Sequence, residues 1–405
     1  RKEPPELQEY TTWSTVTDGV NQDRHAYAFK RLKAKDKGGD ERSPAIMKKL
    51  NEIEKTNETA DTSERCLTCH GVAVHDYGAG KKNPGAAIRK HKELQGAKYR
   101  AEDGVSCDGC HGPAEKWLKK HDKKDWTIKE WNKLGGKTGG SQKLYDDNGI
   151  YYSKDLELWA NQCVRCHLRI DTNLLDAGHP DLLPFELYSQ SAYMPRHWRD
   201  YTTAAPSADL PAAGPMHASV VWQTGQTTGL RAALEQVAVR AKGDKFNKND
   251  PTHVNAAIDR AKGHWAVLRH AAAKISPDDA KALEEGMEKL DEKSAAESAP
   301  KLLEKVGPLV RKAADHKNDL AHVTGIMKAL VEDGALLKSQ PIALQGAKAL
   351  YALNYSRLAQ SNAAALTADP PTDTIMKAVY VMFENSDPTA EGFKKALEEI
   401  KGALK

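Results

Sequence analysis

Hydrophobic residues recur at helical spacing through the C-terminal part of the chain. Leu230, Leu234 and Val237 fall on one face of a helix, within a stretch rich in Ala, Lys, Glu and Leu. Helix breaks are expected where Pro, Asn, Asp and Ser cluster, because several clusters resemble an N-cap with Pro at the first helical position. These breaks lie near residues 248–251, 276–279, 298–300, 316–319, 339–341 and 368–371. The pattern predicts six or seven helices, which is typical of a helical bundle.

The N-terminal half is more polar, and its helical patterns are short. Helices are expected over residues 23–32 and 44–55. Between Pro206 and Pro215 the composition changes to Ala, Pro, Gly and Ser, which indicates a linker or a domain edge. The chain is therefore divided into one domain over residues 1–220 and a helical bundle of unknown role over residues 221–405.

Composition limits what can fill the N-terminal half. The chain has 405 residues, a length typical of two to three domains, and only 6% of them are aromatic. Charged residues make up 29%, and the net charge of +4 gives no argument for nucleic acid or a membrane surface. No apolar run is long enough to span a bilayer. The polar half is therefore expected to obtain apolar surface from something other than side chains.

All six cysteines of the chain lie in three copies of one signature, C-x-x-C-H. The copies are Cys66-Leu67-Thr68-Cys69-His70, Cys107-Asp108-Gly109-Cys110-His111 and Cys163-Val164-Arg165-Cys166-His167. This is the attachment pattern of c-type haem, in which two thiols bond to the porphyrin vinyl groups and the histidine lies beneath the iron. A single copy could equally be half of a zinc site or a redox dithiol. Three pairs would share zinc ions awkwardly, so the pattern predicts three covalently attached haem c groups.

Covalent haem attachment also predicts the compartment. It takes place outside the cytoplasm, so a bacterial periplasm or an equivalent compartment is implied. The chain opens on Arg1-Lys2-Glu3-Pro4 and shows no signal peptide, which is expected of a processed or truncated start.

Three irons create a demand for further imidazoles as distal ligands. His25 is one candidate, and the alternative is a surface histidine on an amphipathic helix. His179 is the other candidate, because Gly178 lets the backbone approach a porphyrin and Pro180 fixes the backbone direction after the histidine. The weaker candidates are His75, His91, His197, His217, Met194 and Met216. Histidines expected to be only packed or solvated are His253, His264, His270, His316 and His322.

The second motif carries a family resemblance. Residues Gly104–Pro113 resemble the third-haem signature of the multihaem cytochromes related to cytochrome c-554, a tetrahaem electron carrier that serves hydroxylamine oxidation. His25, with Trp13 upstream, is similar to that family's distal-histidine helix, and His121 resembles the histidine that follows its Gly-Pro. The resemblance covers about residues 10–200. It implies a mainly α fold, with a multihaem cytochrome c domain that has little regular sheet.

The resemblance also implies a set of axial ligands. No C-x-x-C-H precedes His25, so the family's first haem is missing. The haem on His70 then corresponds to the family's five-coordinate haem. His179 would be the distal ligand of the haem on His111, and His25 that of the haem on His167. The counterpart of His121 serves the missing haem, so His121 is either an orphan or is recruited elsewhere.

Two main functions remain open from the sequence. The first is a periplasmic electron carrier that passes electrons between redox protein partners through closely spaced haems, with the helical region docking a partner, forming a homo-oligomer or covering a haem edge. The second is a haem enzyme that uses a five-coordinate haem on His70 to convert a small nitrogen-oxide or peroxide ligand. A sensor or structural subunit is a third interpretation. The sequence supplies no convincing distal acid or base, which favours the electron carrier.

Overall fold

The chain is mainly helical, as the sequence predicts. The computed structural model describes residues 16–17, 20–21, 23–34, 39–71, 101–112, 114–120, 123, 126–181, 185–192, 194, 214–242, 252–362, 373–384 and 386–405. Strands in these ranges are limited to one short antiparallel pair, β1 (Val16–Thr17) and β2 (Val20–Asn21). Among the described helices, none combines the length and hydropathy that crossing a bilayer requires.

Short helices make up the N-terminal part. They are α1 (Arg42–Glu54), α2 (Glu64–His70), α3 (Cys107–His111), α4 (Trp126–Lys133), α5 (Gly140–Asn148), α6 (Leu156–His167), α7 (Thr172–Asp176) and α8 (Leu187–Ala192). The helix expected over residues 44–55 is therefore present as α1. The helix expected over residues 23–32 is not α-helical: turns are followed by a 3-10 helix at Phe29–Leu32. The hydrogen bonds there join residues three apart, as in Ala28 N to His25 O at 3.1 Å.

Longer helices follow, and we call this part the C-terminal helices. They are α9 (His217–Ala241), α10 (Thr252–Ile275), α11 (Pro277–Glu288), α12 (Ala295–Asp315), α13 (Leu320–Glu332), α14 (Gln340–Ser361), α15 (Thr374–Glu384) and α16 (Glu391–Ala403). The described part of the C-terminal region thus has eight α-helices, against the six or seven expected.

Local capping signals explain which breaks were correctly expected. Pro277 begins α11 at its first position, and Asp319 caps α13 by accepting a hydrogen bond from the His322 amide at 2.7 Å. The break expected at residues 298–300 is wrong, because Pro300 lies inside α12. Two further breaks, between α11 and α12 and between α15 and α16, account for the eighth helix. The breaks expected at 248–251 and 368–371 lie outside the described residues.

Helix α9 lies at the centre of the C-terminal helices. It packs against α10, α12 and α14, and most of its 25 residues are buried on all sides. Its buried face includes apolar residues such as Trp222 and Leu230 but also Gln223 and Gln226. One continuous hydrophobic core runs from α9 to α16.

The N-terminal helices contact the C-terminal helices mainly through α6, with α8 as a second contact. A smaller cluster joins Val164 and Leu168 of the α6 segment to Val221 and Ala232 of α9. Ion pairs reinforce the contact: Arg311 lies 2.7 Å from Glu157, and Arg169 lies 2.6 Å from Glu235. The helix that carries the third C-x-x-C-H motif is therefore fixed to the C-terminal helices.

Candidate haem-binding site

Each C-x-x-C-H motif forms the last turns of a helix. The histidine of the motif is the final residue of α2, α3 and α6 respectively. One helical turn brings the two thiols of each motif to the same side, as attachment to one porphyrin edge requires. All six cysteines are free thiols, none of them in a disulfide.

The three motifs meet in one place although they are far apart in sequence. Cys69 and Cys166 are hydrogen-bonded to each other, and the Cys166 Sγ lies 3.9 Å from the Thr68 carbonyl oxygen. Arg165 Nη2 donates a hydrogen bond of 2.6 Å to the Gly109 carbonyl oxygen, which ties the third motif to the second. The attachment residues of all three predicted haems therefore form one cluster.

His70 faces His179. Their ring centroids lie 6.5 Å apart, with an angle of 73° between the ring planes. His70 Nδ1 lies 3.0 Å from the Ala28 carbonyl oxygen, and His179 Nδ1 lies 2.9 Å from that of Pro180. A carbonyl oxygen only accepts, so each Nδ1 carries the proton and each Nε2 is left as the metal-binding nitrogen.

His25 faces His167 in the same way. Their ring centroids lie 6.2 Å apart, at an angle of 81°. His25 Nδ1 lies 3.0 Å from the carboxylate of Asp23, a residue that is only 2% exposed. A carboxylate on the outer nitrogen fixes the tautomer and raises the basicity of the inner one. These are the two rings that the sequence resemblance expected to pair.

The spacing within both pairs fits one metal ion between two imidazoles. A ligating nitrogen lies about 2 Å from its metal, and each ring centre lies roughly 1 Å further out, so the centroids of two opposed ligands lie about 6 Å apart. In each pair one ring belongs to a C-x-x-C-H motif and the other does not. The donor set is thus two thiols and two imidazoles per site, which is a set that would hold one haem c at His70 and one at His167.

Burial keeps most of these rings in the neutral, ligating form. It lowers the pKa of His70 and of His179, and it lowers the pKa of His167 to about 4. His25 differs: burial lowers its pKa, but the hydrogen bond and charge of Asp23 act more strongly together and the pKa is raised. Burial also raises the pKa of the Cys66 thiol to about 11.

The surroundings of His111 are aromatic. The Trp117 ring lies 6.4 Å from the His111 ring, and Trp117 packs with Leu144 and Tyr152 in a small core. The Tyr151 amide donates a hydrogen bond of 2.9 Å to the His111 carbonyl oxygen. The other predicted candidates His75, His91, His121 and His197 lie outside the described residues.

The pairing of His179 corrects one expectation. The resemblance implied that His179 serves the haem on His111 and that the haem on His70 is five-coordinate. The structure places the His179 ring opposite His70 instead. The reason is the turn after α7: Gly178 has a φ of +96°, and the His179 amide donates to the Leu174 carbonyl oxygen at 2.8 Å, which turns the chain back along α7. The geometry therefore does not favour a small-ligand site at His70.

The histidines of the C-terminal helices have other partners. His264 is buried, with Nδ1 2.9 Å from Gln226 Oε1, and His270 lies 2.6 Å from Asp333. His253 has a partner outside the C-terminal helices: its Nε2 lies 2.9 Å from Asp176 Oδ1, at the end of α7.

The sequence analysis did not identify Asp23 as a functional residue. Its position two residues before His25 is a signal that could have marked it as the hydrogen-bond partner of a ligand.

Gly104 fixes the position of His25. Its φ is +65°, and an added Cβ would lie 2.5 Å from the His25 carbonyl oxygen and 2.9 Å from that of Ala26. The next amide, of Val105, donates to the same His25 oxygen at 3.0 Å. The segment before the second motif is thus packed directly on the turn that presents His25.

We expect Gly104→Ala to destabilise the protein and to displace His25. The positive φ alone costs about 1–2 kcal/mol for a residue with a Cβ, and the clash with His25 adds to that. Gly334→Ala is the matched control, because Gly334 has a φ of +68° but nothing within 4 Å of an added Cβ. Thermal unfolding and the ferric absorption spectrum of both variants test this. Equal loss of stability, with an unchanged spectrum in both, would contradict it.

Comparison of the chain with protein-family models, with curated proteins and with solved structures finds no match.

Proposed function

We propose that the chain is a trihaem c-type cytochrome domain followed by a helical bundle, and that it carries electrons between redox partners outside the cytoplasm. The observation that carries this proposal is the presence of two pairs of neighbouring imidazoles: the ring centroids of His70 and His179 lie 6.5 Å apart, and those of His25 and His167 lie 6.2 Å apart. Two axial imidazoles leave an iron without an open position, which suits electron transfer better than substrate binding. When bound, haem c would supply an iron that alternates between the ferric and ferrous states.

The residues that would hold the three groups follow from the motifs. The thioether bonds would be made by Cys66, Cys69, Cys107, Cys110, Cys163 and Cys166, and the proximal ligands would be His70, His111 and His167. The contacts of Cys69 with Cys166 and of Arg165 with Gly109 support a cluster rather than three separate sites. Closely grouped attachment residues are what a carrier of electrons among several cofactors needs.

The surrounding residues would orient the ligands. The Ala28 and Pro180 carbonyl oxygens and the Asp23 carboxylate hold the outer ring nitrogens, so each inner nitrogen has a fixed direction. Two imidazoles stabilise ferric iron better than a histidine and a methionine do, so low reduction potentials are expected.

Family, location and partners remain part of the proposal. The likeness of residues 10–200 to the cytochrome c-554 family supports a role among redox proteins, and covalent haem supports a periplasmic location. The C-terminal helices would offer a surface for a partner protein or for a second copy of the chain.

The test is the mass and spectrum of protein matured in a periplasm that attaches haem. We expect the mass of the polypeptide plus three haems and a mostly low-spin ferric spectrum. The matched control, Cys107→Ala with Cys110→Ala, should lose one haem and keep two low-spin ones. A colourless product, or one with the mass of the bare polypeptide, would refute the proposal. A large carbon monoxide shift accompanied by turnover of a nitrogen oxide or peroxide would favour an enzyme instead.

A further inference from the structure

The turn that carries His179 is tied to the C-terminal helices by a buried charge cluster. Asp181, two residues after His179, accepts hydrogen bonds from Arg240 of α9, at 2.9 Å from Nη1 and 3.3 Å from Nη2. Arg260 of α10 lies 2.9 Å from the same carboxylate. Two guanidinium groups from two different helices therefore meet on one side chain of this turn.

These arginines are buried more deeply than a surface ion pair would be. The Arg240 side chain is 1% exposed and that of Arg260 is 9% exposed. Arg240 Nη1 also donates a hydrogen bond of 3.0 Å to the His253 carbonyl oxygen, which connects it to the first turn of α10. Buried guanidinium groups are costly without a partner, so Asp181 cannot leave the cluster without a large penalty.

The other end of the turn is held as well. Asp176, the last residue of α7, lies 2.9 Å from His253 Nε2. The segment 176–181, with His179 inside it, is thus bound at both ends to α9 and α10. Between these two anchors, Gly178 at φ +96° directs the His179 ring toward His70.

Such a cluster fixes the position of the residues that form it more than it adds to the stability of the fold. A buried ion pair often adds little net stability over well-packed apolar residues, whereas removing one side of it leaves an uncompensated charge. What the Asp181 cluster determines is where this turn can lie. The distance between the His70 and His179 rings is set by that position.

We propose that Arg240 and Arg260 are positioning residues which, through Asp181, hold the His179 imidazole opposite His70. The C-terminal helices thereby set the coordination of the haem attached at Cys66 and Cys69. This inference rests on the proposed haem function, and it assigns the C-terminal helices a task inside the molecule in addition to any surface for partners.

The experiment replaces both arginines in the full-length matured protein, as Arg240→Met with Arg260→Met. Methionine keeps much of the packing of the apolar arginine stem but leaves Asp181 without guanidinium partners. The Asp181 carboxylate is then better solvated if it turns toward water, and this movement displaces His179, two residues away. We expect one of the three haems to become high spin in the ferric protein and to bind carbon monoxide after reduction. Asp181→Asn should give the same change.

The matched control is Arg269→Met. Arg269 pairs with Glu284 and Asp333 among the C-terminal helices, away from the His179 turn, so its loss should leave the spectrum unchanged. Added imidazole should return the double variant to low spin, because a displaced ligand leaves its position on the iron open to a substitute.

Three results would overturn the inference. They are a double variant with the low-spin spectrum of the wild type, a control that turns high spin to the same extent, and a high-spin signal that added imidazole does not reverse. The haem count of the wild type is measured first and separates the two proposals. Three haems with no effect of the arginine variants would refute only this inference, whereas absent haem would refute the proposed function.

Discussion

Replacing His179 by alanine is expected to convert one haem, the one attached at Cys66 and Cys69, from low spin to high spin. The His179 ring lies 6.5 Å from that of His70, the proximal residue of this site, and alanine leaves no nitrogen in its place. The ferric absorption and electron paramagnetic resonance spectra should show one high-spin centre more than the wild type. The reduced variant should bind one equivalent of carbon monoxide more than the wild type.

His25→Ala should act in the same way on the haem attached at Cys163 and Cys166. The two imidazole pairs use different residues, so the double variant should show two high-spin centres more than the wild type. His270→Ala is the control, because His270 is hydrogen-bonded to Asp333 among the C-terminal helices. Loss of the His270 side chain should leave all spectra unchanged.

The haem that His179 serves can be identified directly. In the background of Cys107→Ala with Cys110→Ala, the haem on His111 is absent. If His179 serves His70, His179→Ala still produces one high-spin centre in this background. If it serves His111, as the sequence resemblance implied, His179→Ala adds no high-spin centre to this background and the geometric pairing is wrong.

Local signals explain what the sequence could predict. The C-x-x-C-H spacing marks each motif completely, and the helix starts after Ser276 and Ser339 follow from Pro in the first turn. The glycine and proline on either side of His179 likewise mark it as a candidate ligand from the sequence alone. In each case the determining residues lie within a few positions of one another.

The ligand pairing and the polar interior could not be predicted in this way. His70 and His179 are brought together by a turn whose position depends on Asp181 and Arg240, and those two residues are 59 positions apart. In α9, Gln223 and Gln226 are buried because other helices surround it on every side, which a pattern of apolar positions does not reveal. Both features depend on tertiary packing.

Removing all three haem groups is expected to unfold most of the N-terminal part and to leave the C-terminal helices folded. In the full chain with all six cysteines changed to alanine, no thioether bond can form. The described N-terminal residues have small side-chain cores: one contains Phe29, Met47 and Leu50, and another contains Trp117 and Leu144. The C-terminal helices instead share one continuous core from α9 to α16.

Hydrogen exchange followed by mass spectrometry would measure this difference region by region. Peptides from α1, α2 and α5 should lose their protection, while those from α9, α10 and α12 should keep it. Helix α6 should be intermediate, because Val164 packs against α9 but the haem beside His167 is gone. The control that removes only the haem at Cys107 and Cys110 should lose protection mainly around α3 to α5. Protection of α1 and α2 at the wild-type level in the haem-free chain would contradict the prediction. It would show that side-chain packing alone keeps this part folded.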